Sequence, residues 1–438
     1  MNPTELPRHS VVIVGAGQAG LSLSHFLQQQ QIDHQVLEKH QAMHVWRNQR
    51  WDNFCLVTPN WQCRLPGHAY SGPEPHGFML KPQILDYLAG FQAAVNAPLR
   101  EGVRVDLVQR TASGFLVRSS DGDCLADQVV VASGGYHQPI VPRLAERLPA
   151  HILQLHSADY RNAAQLPPGK VLVVGAGQSG AQIAEDLHLA GREVLLAVGD
   201  APRCARFYRG RDVVAWLDDM GYYNMPVHQH PLREGVRDNT NHYVTGRDGG
   251  RDIDLRRFAL EGMQLYGALQ GLDGDVLQFK PDLGLVLDQA DRSYNSINAA
   301  IDKHIDSQGL HAPPPSVYQP LWQPPQERAT LSLADAGIGS VLWCIGFAPD
   351  FRWLNAPVFN GRGHPVHERG VTAVPGLYFI GLPWLHTWGS GRFSGVAQDA
   401  AHLAAQIAHH HAGLQQPAQP GRRIAASPGL ASVLSGRD

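Results

Sequence analysis

Residues 11–20 read Val-Val-Ile-Val-Gly15-Ala16-Gly17-Gln18-Ala19-Gly20, and residues 171–180 read Val-Leu-Val-Val-Gly175-Ala176-Gly177-Gln178-Ser179-Gly180. Each copy is an apolar run fit for a buried parallel strand, followed by G-x-G-x-x-G and a helical pattern. This is the strand–turn–helix context that a dinucleotide-binding fingerprint requires. The first glycine makes the tight turn, the second lets backbone approach a pyrophosphate, and the third lets helix and strand pack closely. The helix N-terminus offers unpaired N–H groups and a positive dipole end to the phosphates. Two such units in one chain imply two dinucleotides and electron transfer between them.

The first unit predicts a strand over Val11–Val14, a helix over about 19–30 and a strand over Gln35–Leu37 ending at Glu38, with Lys39 next. Glu38 lies 18 residues after Gly20, where an acid accepts a hydrogen bond from a ribose 2′-OH and repels a 2′-phosphate. That site suits FAD or NAD. The second unit predicts a helix over 179–189 and a strand over Val194–Val198, and Val198 stands where the first unit has its acid. The segment that follows, Arg203-Cys-Ala-Arg206-Phe-Tyr-Arg209-Gly-Arg211, carries four arginines in nine residues. Loss of the acid beside a basic loop suits a 2′-phosphate, so NADPH is the expected donor. A solvated basic loop is the alternative, with Asp200 taking a ribose and favouring NADH.

With 438 residues the chain can build two or three domains. Apolar content of 43%, charged content of 17% and a net charge of −3 fit a globular protein without general attraction to nucleic acid or anionic membranes. No apolar run approaches the roughly 18 residues of a membrane span, and the polar stretch 1–10 shows no secretory signal, so a cytoplasmic protein is expected. The five cysteines form no C-x-x-C, which argues against a dithiol redox relay or a zinc ribbon. His409, His410 and His411 end an Ala-rich helical stretch and read as a solvated helix end, with no metal site expected.

Two more apolar runs, Gln128–Ala132 and Ser340–Ile345, break into Ser133-Gly134-Gly135 and Gly346-Phe347-Ala348. Small residues there let the chain leave a sheet beside a cofactor. Residues 376–381 read as a strand ending at Gly381, and 395–409 as a helix containing Asp399. The fold class is therefore α/β: two Rossmann-like dinucleotide-binding domains, the second inserted into the first. The FAD-binding domain is expected from 1–165 and 331–412. The NAD(P)H-binding domain, with a helical insert, is expected from 166–330, proline-rich 311–325 being its return linker. Residues 413–438 read as a loose tail.

The chain resembles the class B flavoprotein monooxygenases: flavin-containing, Baeyer–Villiger and N-hydroxylating enzymes, and the plant YUCCA enzymes. The resemblance covers about residues 10–410. Its most specific stretch holds Trp46, Asp52, Pro59, Cys63, Leu65 and Pro66, which match a YUCCA-like W-x5-D-x6-P-x3-C-x-L-P pattern without gaps. By resemblance, Trp46 and Arg47 lie along the flavin. Asn60 falls where animal-type members carry an asparagine facing flavin and nicotinamide; a turn asparagine beside Pro59 is the other reading. Of the family linker F-x-G-x-x-x-H-S-x-x-Y the chain keeps His156, Ser157 and Tyr160 but has Ala150 and Ile152. His156 is accordingly either catalytic or a satisfied interdomain histidine. The family's arginine after the second-domain strand is Gly199 here, leaving Arg203 or Arg206 to substitute. Trp384, His386 and Trp388 wall a pocket or pack a core, and Asp399 opens a closing helix at the flavin's pyrimidine edge.

The implied function is an FAD-dependent, NADPH-using monooxygenase. In the family NADPH reduces FAD, O2 is the cosubstrate, and a C4a-(hydro)peroxyflavin oxygenates a small organic molecule by N- or S-oxygenation or carbonyl attack. The resemblance favours a small nitrogen-containing substrate. A flavin oxidase or reductase without oxygenation is the alternative, and a flavin-binding regulator is a more distant one. A monomer or homodimer is expected, with no nucleic acid or membrane partner.

Overall fold

The computed structural model describes residues 6–415. In chain order its main elements are β1 (Arg8–Val14), α1 (Gln18–Gln29), β2 (His34–Glu38), α2 (Lys81–Val95), β3 (Leu99–Glu101), β4 (Val105–Thr111), β5 (Gly114–Ser119) and β6 (Gly122–Val131). There follow β7 (Leu153–His156), β8 (Lys170–Val174), α3 (Gln178–Leu189), β9 (Val194–Ala197), β10 (Gln264–Tyr266), α4 (Leu283–Gln308), β11 (Ile338–Trp343), β12 (Leu354–Asn355), β13 (Leu377–Phe379) and α5 (Val396–Gln415). The two expected strand–turn–helix units are both present.

The first sheet has eight strands in the order β12-β4-β5-β6-β1-β2-β3, with β13 added beside β6. β6 is long enough for two partners on one side. Its first half pairs antiparallel with β5, and Val129–Val131 pair parallel with β13. The second sheet, β7-β11-β8-β9-β10, has five strands and is parallel throughout.

Both central strands have two covered faces, which is why their sequences are apolar without alternation. Val11 and Ile13 pack into the core beneath α1, α2 and α5, whereas Val12 and Val14 face the opposite core with Phe115 and Phe379. In the second sheet Val171 and Val173 join the α3 side, and Leu172 and Val174 pack with Trp343 and Tyr266 on the other.

Sheet membership does not coincide with the borders expected at 165/166 and 330/331. β7 lies before residue 165 and β11 after residue 331, yet both belong to the second sheet. An apolar strand carries the same pattern in either sheet, and only pairing decides between them. At the other end, α5 continues to Gln415, through the first residues of the tail expected from 413; residues 416–438 lie outside the described residues.

The third glycine of each fingerprint is compulsory. A Cβ on Gly20 would meet the Gly15 carbonyl oxygen at 2.0 Å, and one on Gly180 would meet that of Gly175 at 1.9 Å. At Gly17, by contrast, nothing lies within 4 Å. Gly20→Ala should therefore lower stability by about 1–3 kcal/mol through overpacking. Gly17→Ala should stay within about 1 kcal/mol of the parent while retaining flavin poorly. Urea unfolding and the flavin-to-protein ratio of purified variants check both.

Candidate active site

The first cradle lies where β1 meets α1. Gly17 is the N-cap of α1, in extended conformation, with no side chain capping the helix and no acid in its first turn. An anion is the natural partner of those unsatisfied N–H groups. Glu38, at the end of β2, accepts from the Ala16 N–H (2.9 Å) and the His40 N–H (2.9 Å), one on each oxygen. Each oxygen keeps a lone pair for a ribose hydroxyl. Lys39 is exposed beside it. A Cβ on Gly381 would meet that of Ala19 at 2.7 Å, so the end of β13 presses against the start of α1.

Trp46 donates from Nε1 to Gln18 Oε1 (3.1 Å), and Gln18 Nε2 donates to the Gly391 carbonyl (2.9 Å). The tryptophan ring packs on Phe393 at 4.9 Å. Arg47 is tied back to the Ala42 carbonyl (3.2 Å). The stretch opened by Trp46 thus lies against the first fingerprint and the late segment 391–393 together. Farther along, Asn53 donates to Asp186 of α3 (2.9 Å). One stretch of chain therefore joins the first cradle to the helix of the second.

The second cradle repeats the geometry. Gly177 is the uncapped N-cap of α3, and Gln178 Nε2 donates to the Val244 carbonyl (2.8 Å). A Cβ on Gly177 would meet Thr240 Cγ2 at 3.2 Å, which places the insert alongside this cradle. Ser179 lies in the first turn of the helix, and the strand end Cys344–Gly346 borders it: a Cβ on Gly175 would meet the Cys344 carbonyl oxygen at 2.6 Å. Gly346 therefore belongs to the edge of the second sheet.

Three expectations change. Both amide atoms of Asn60 are taken by backbone, Nδ2 donating to the Glu74 carbonyl (2.9 Å) and Oδ1 accepting from the Met79 N–H (2.7 Å). Buried at 3% exposure, Asn60 is a loop clamp that ties Glu74 and Met79 together through their backbone. His156 is also satisfied. Nδ1 accepts from the Ala158 N–H (3.2 Å), so Nε2 carries the proton and donates to the Gly346 carbonyl (3.0 Å). Burial lowers its pKa, and it serves as a clamp between β7 and the loop after β11.

The arginine loop is the third correction. Arg203, 2% exposed, donates to Asp291 (2.9 Å) and lies between the rings of Tyr294 and Tyr318. Arg206, 1% exposed, pairs with Asp212, donates to the Val57 carbonyl (2.6 Å) and stacks on Phe78. Arg209 pairs with Asp302 (2.9 Å) and Arg211 with Asp219 (2.6 Å). Arg203, Arg206 and Arg209 are held within the protein and Arg211 lies in an exposed pair, so the loop does not present a cluster of free arginines to a 2′-phosphate.

Asp399 lies in the first turn of α5, 2% exposed, with Arg369 Nε at 3.6 Å and its Oδ2 without a partner. Burial raises its pKa against the pull of Ser390 and Arg369. An orphaned buried acceptor at this edge fits a hydroxyl or N–H of a bound flavin. Trp384 and Trp388 pack against the insert, Trp388 on Tyr223 (4.4 Å) and Trp384 in a cluster with Val227 and Val236. Two residues that carry no sequence signal also stand here. Arg50 lies over Trp46 (5.1 Å) and Arg392 over Trp388 (3.9 Å), with Arg392 donating to Asn241 (3.0 Å). Burial lowers both guanidinium pKa values, and among the described residues neither is paired with a carboxylate.

The five cysteines are free, and burial pushes Cys63, Cys204 and Cys344 up to about 12, so they are neutral thiols at neutral pH. Among the described residues no cluster of ligands could hold a metal, and no helix is long and apolar enough to cross a membrane.

A Geobacillus kaustophilus protein named "Uncharacterized oxidoreductase CzcO-like" is 31% identical, the match covering 91% of this chain and 98% of that protein. The chain belongs to the CzcO-like oxidoreductases. Residues 12–219 also match the pyridine nucleotide-disulphide oxidoreductase family. Indole-3-pyruvate monooxygenase YUCCA1 of Oryza sativa subsp. japonica is 30% identical over 43% of this chain and 47% of its own length. A double mutant of a Stenotrophomonas maltophilia flavin monooxygenase shares the fold, with a TM-score of 0.63 at 20% identity over 92% of this chain and 99% of that one. This CzcO-like oxidoreductase thus has two dinucleotide-binding folds.

His156 and His367, the latter pushed down to about 4 by burial and by Arg237, set a pH dependence. Below about 6.5 the unfolded chain binds protons that these folded imidazoles refuse. Stability present above that pH is therefore lost as pH falls. The melting temperature should drop between pH 7.5 and 5.5, and a rise over that interval would contradict the assignment.

Proposed function

We propose that this chain is an FAD-dependent monooxygenase that draws electrons from a reduced nicotinamide dinucleotide and oxygenates a small organic molecule. The observation that carries this reading is the stretch from Trp46, which touches the first cradle through Gln18 and reaches α3 through Asn53. Dinucleotides seated on the two cradles would share the space along that stretch. The likeness to a YUCCA monooxygenase over 43% of this chain supports oxygenation.

Bound FAD supplies the redox chemistry, accepting a hydride and passing electrons to O2. The protein's residues hold and surround it. The α1 N-terminus and Gly17 receive the pyrophosphate, Glu38 the adenosine ribose, and Asp399 Oδ2 a donor on the flavin. Arg50 and Arg392 contribute fixed positive charge where negative charge develops. Tyr222, Tyr223, Val227 and Val236 of the insert cover Trp384 and Trp388 and limit water. The five cysteines, unpaired among the described residues, lend no support to a dithiol relay.

Stopped-flow absorbance tests the oxygenase step. The flavoprotein, reduced anaerobically and mixed with O2, should show a lasting absorbance band distinct from those of oxidised and reduced flavin. Hydrogen peroxide should stay well below the nicotinamide consumed. Immediate recovery of oxidised flavin with stoichiometric peroxide, whatever small nitrogen or sulfur compounds are supplied, would turn the reading to an oxidase.

A further inference from the structure

The second cradle carries its own evidence on which nicotinamide dinucleotide it accepts. β8 and β9 run parallel in register, Val174 beside Ala197, so both end at the edge where Gly177 opens α3. In such folds the adenosine ribose lies against the chain just beyond the second strand. Here that chain is Val198, Gly199 and Asp200. Val198 is 2% exposed, packed in the core and hydrogen-bonded through its N–H to the Tyr266 carbonyl (2.8 Å), which leaves it nothing to offer a ligand. A side chain at Gly199 would meet no heavy atom within 4 Å, so the space above it is open. Asp200 is exposed and has no hydrogen bond or ion pair among the described residues.

A 2′-phosphate would need cations here, and those nearest in sequence are engaged. Arg203 and Arg206 are buried against Asp291 and Asp212, and Arg209 is held by Asp302 and the Pro313 carbonyl. Arg211 pairs with Asp219 while stacking on Trp216. Of the insert segment that runs beside the cradle, Arg247 is taken by Asp186 and Arg251 by Glu185, both acids on α3. Turning Arg203 or Arg206 outward would strand buried carboxylates.

Resting on the reading of the second fold as the nicotinamide site, we infer that it is built for NADH, with the Asp200 carboxylate accepting from the adenosine ribose hydroxyls and excluding a 2′-phosphate. Asp200 is then a specificity-determining residue displaced by two positions from the place that Glu38 fills in the first fold. Gly199, between the two positions, puts no side chain into the open space beside Asp200.

Equilibrium titration of the FAD-loaded protein with NAD+ and with NADP+, by calorimetry or tryptophan quenching, tests this independently of turnover. NAD+ should bind about tenfold tighter or more. Asp200→Ala should weaken NAD+ by about tenfold, and Gly199→Arg combined with Asp200→Ala should shift preference toward NADP+. The flavin content of each variant checks that it is folded. NADP+ binding as tightly as NAD+ in the parent, or Asp200→Ala without effect on NAD+, would overturn the inference alone. Binding of neither dinucleotide would overturn it together with the function proposed above.

Discussion

The third glycine of each fingerprint holds helix against strand at a distance that no side chain permits. With a carbonyl oxygen at 2.0 Å or less from where a Cβ would stand at Gly20 and Gly180, each helix begins directly over the end of its central strand. From that approach follow the uncapped N-termini at Gly17 and Gly177 and the position of Glu38 at the end of the neighbouring strand. A methyl group at either position would move the helix and, with it, the whole phosphate site.

The second organising feature is the seam between the folds, which long-range side-chain hydrogen bonds cross. Arg206 reaches across to the Val57 carbonyl, Asn53 to Asp186, and Arg392 to Asn241. His156 fastens β7 to the strand-to-loop turn at Gly346. Most of these polar groups are satisfied by backbone or by a single carboxylate, which fixes their geometry and takes them out of chemistry. Arg50 and Arg392 differ: among the described residues they are cations without an acid, stacked on tryptophans at the same seam.

How much was legible in the chain follows from how local each signal is. A buried parallel strand, its glycine turn and the following helix are written within some 20 consecutive residues, so both cradles and their limits were readable to within one or two positions. Glu38 was readable for the same reason. The partners of Arg203 and Arg206 were not, because Asp291 lies 88 residues beyond Arg203 and appears in sequence only as one acid on a long helix. A run of arginines looks the same whether it meets solvent or folds onto acids. Asn60 and His156 were ambiguous between chemistry and scaffolding, and hydrogen bonds to backbone, which leave no trace in residue type, decided them. The placement of β7 and β11 was hidden in a similar way, since strand pairing is a long-range choice.

The central claim is that two dinucleotides occupy the two cradles and exchange electrons across the seam. Anaerobic titration of the purified flavoprotein with reduced nicotinamide tests it most directly, with bound flavin quantified first. One FAD per chain, bleached by one equivalent of NADH or NADPH, is the predicted result. A chain that holds flavin but keeps it oxidised under excess of both dinucleotides would contradict the claim.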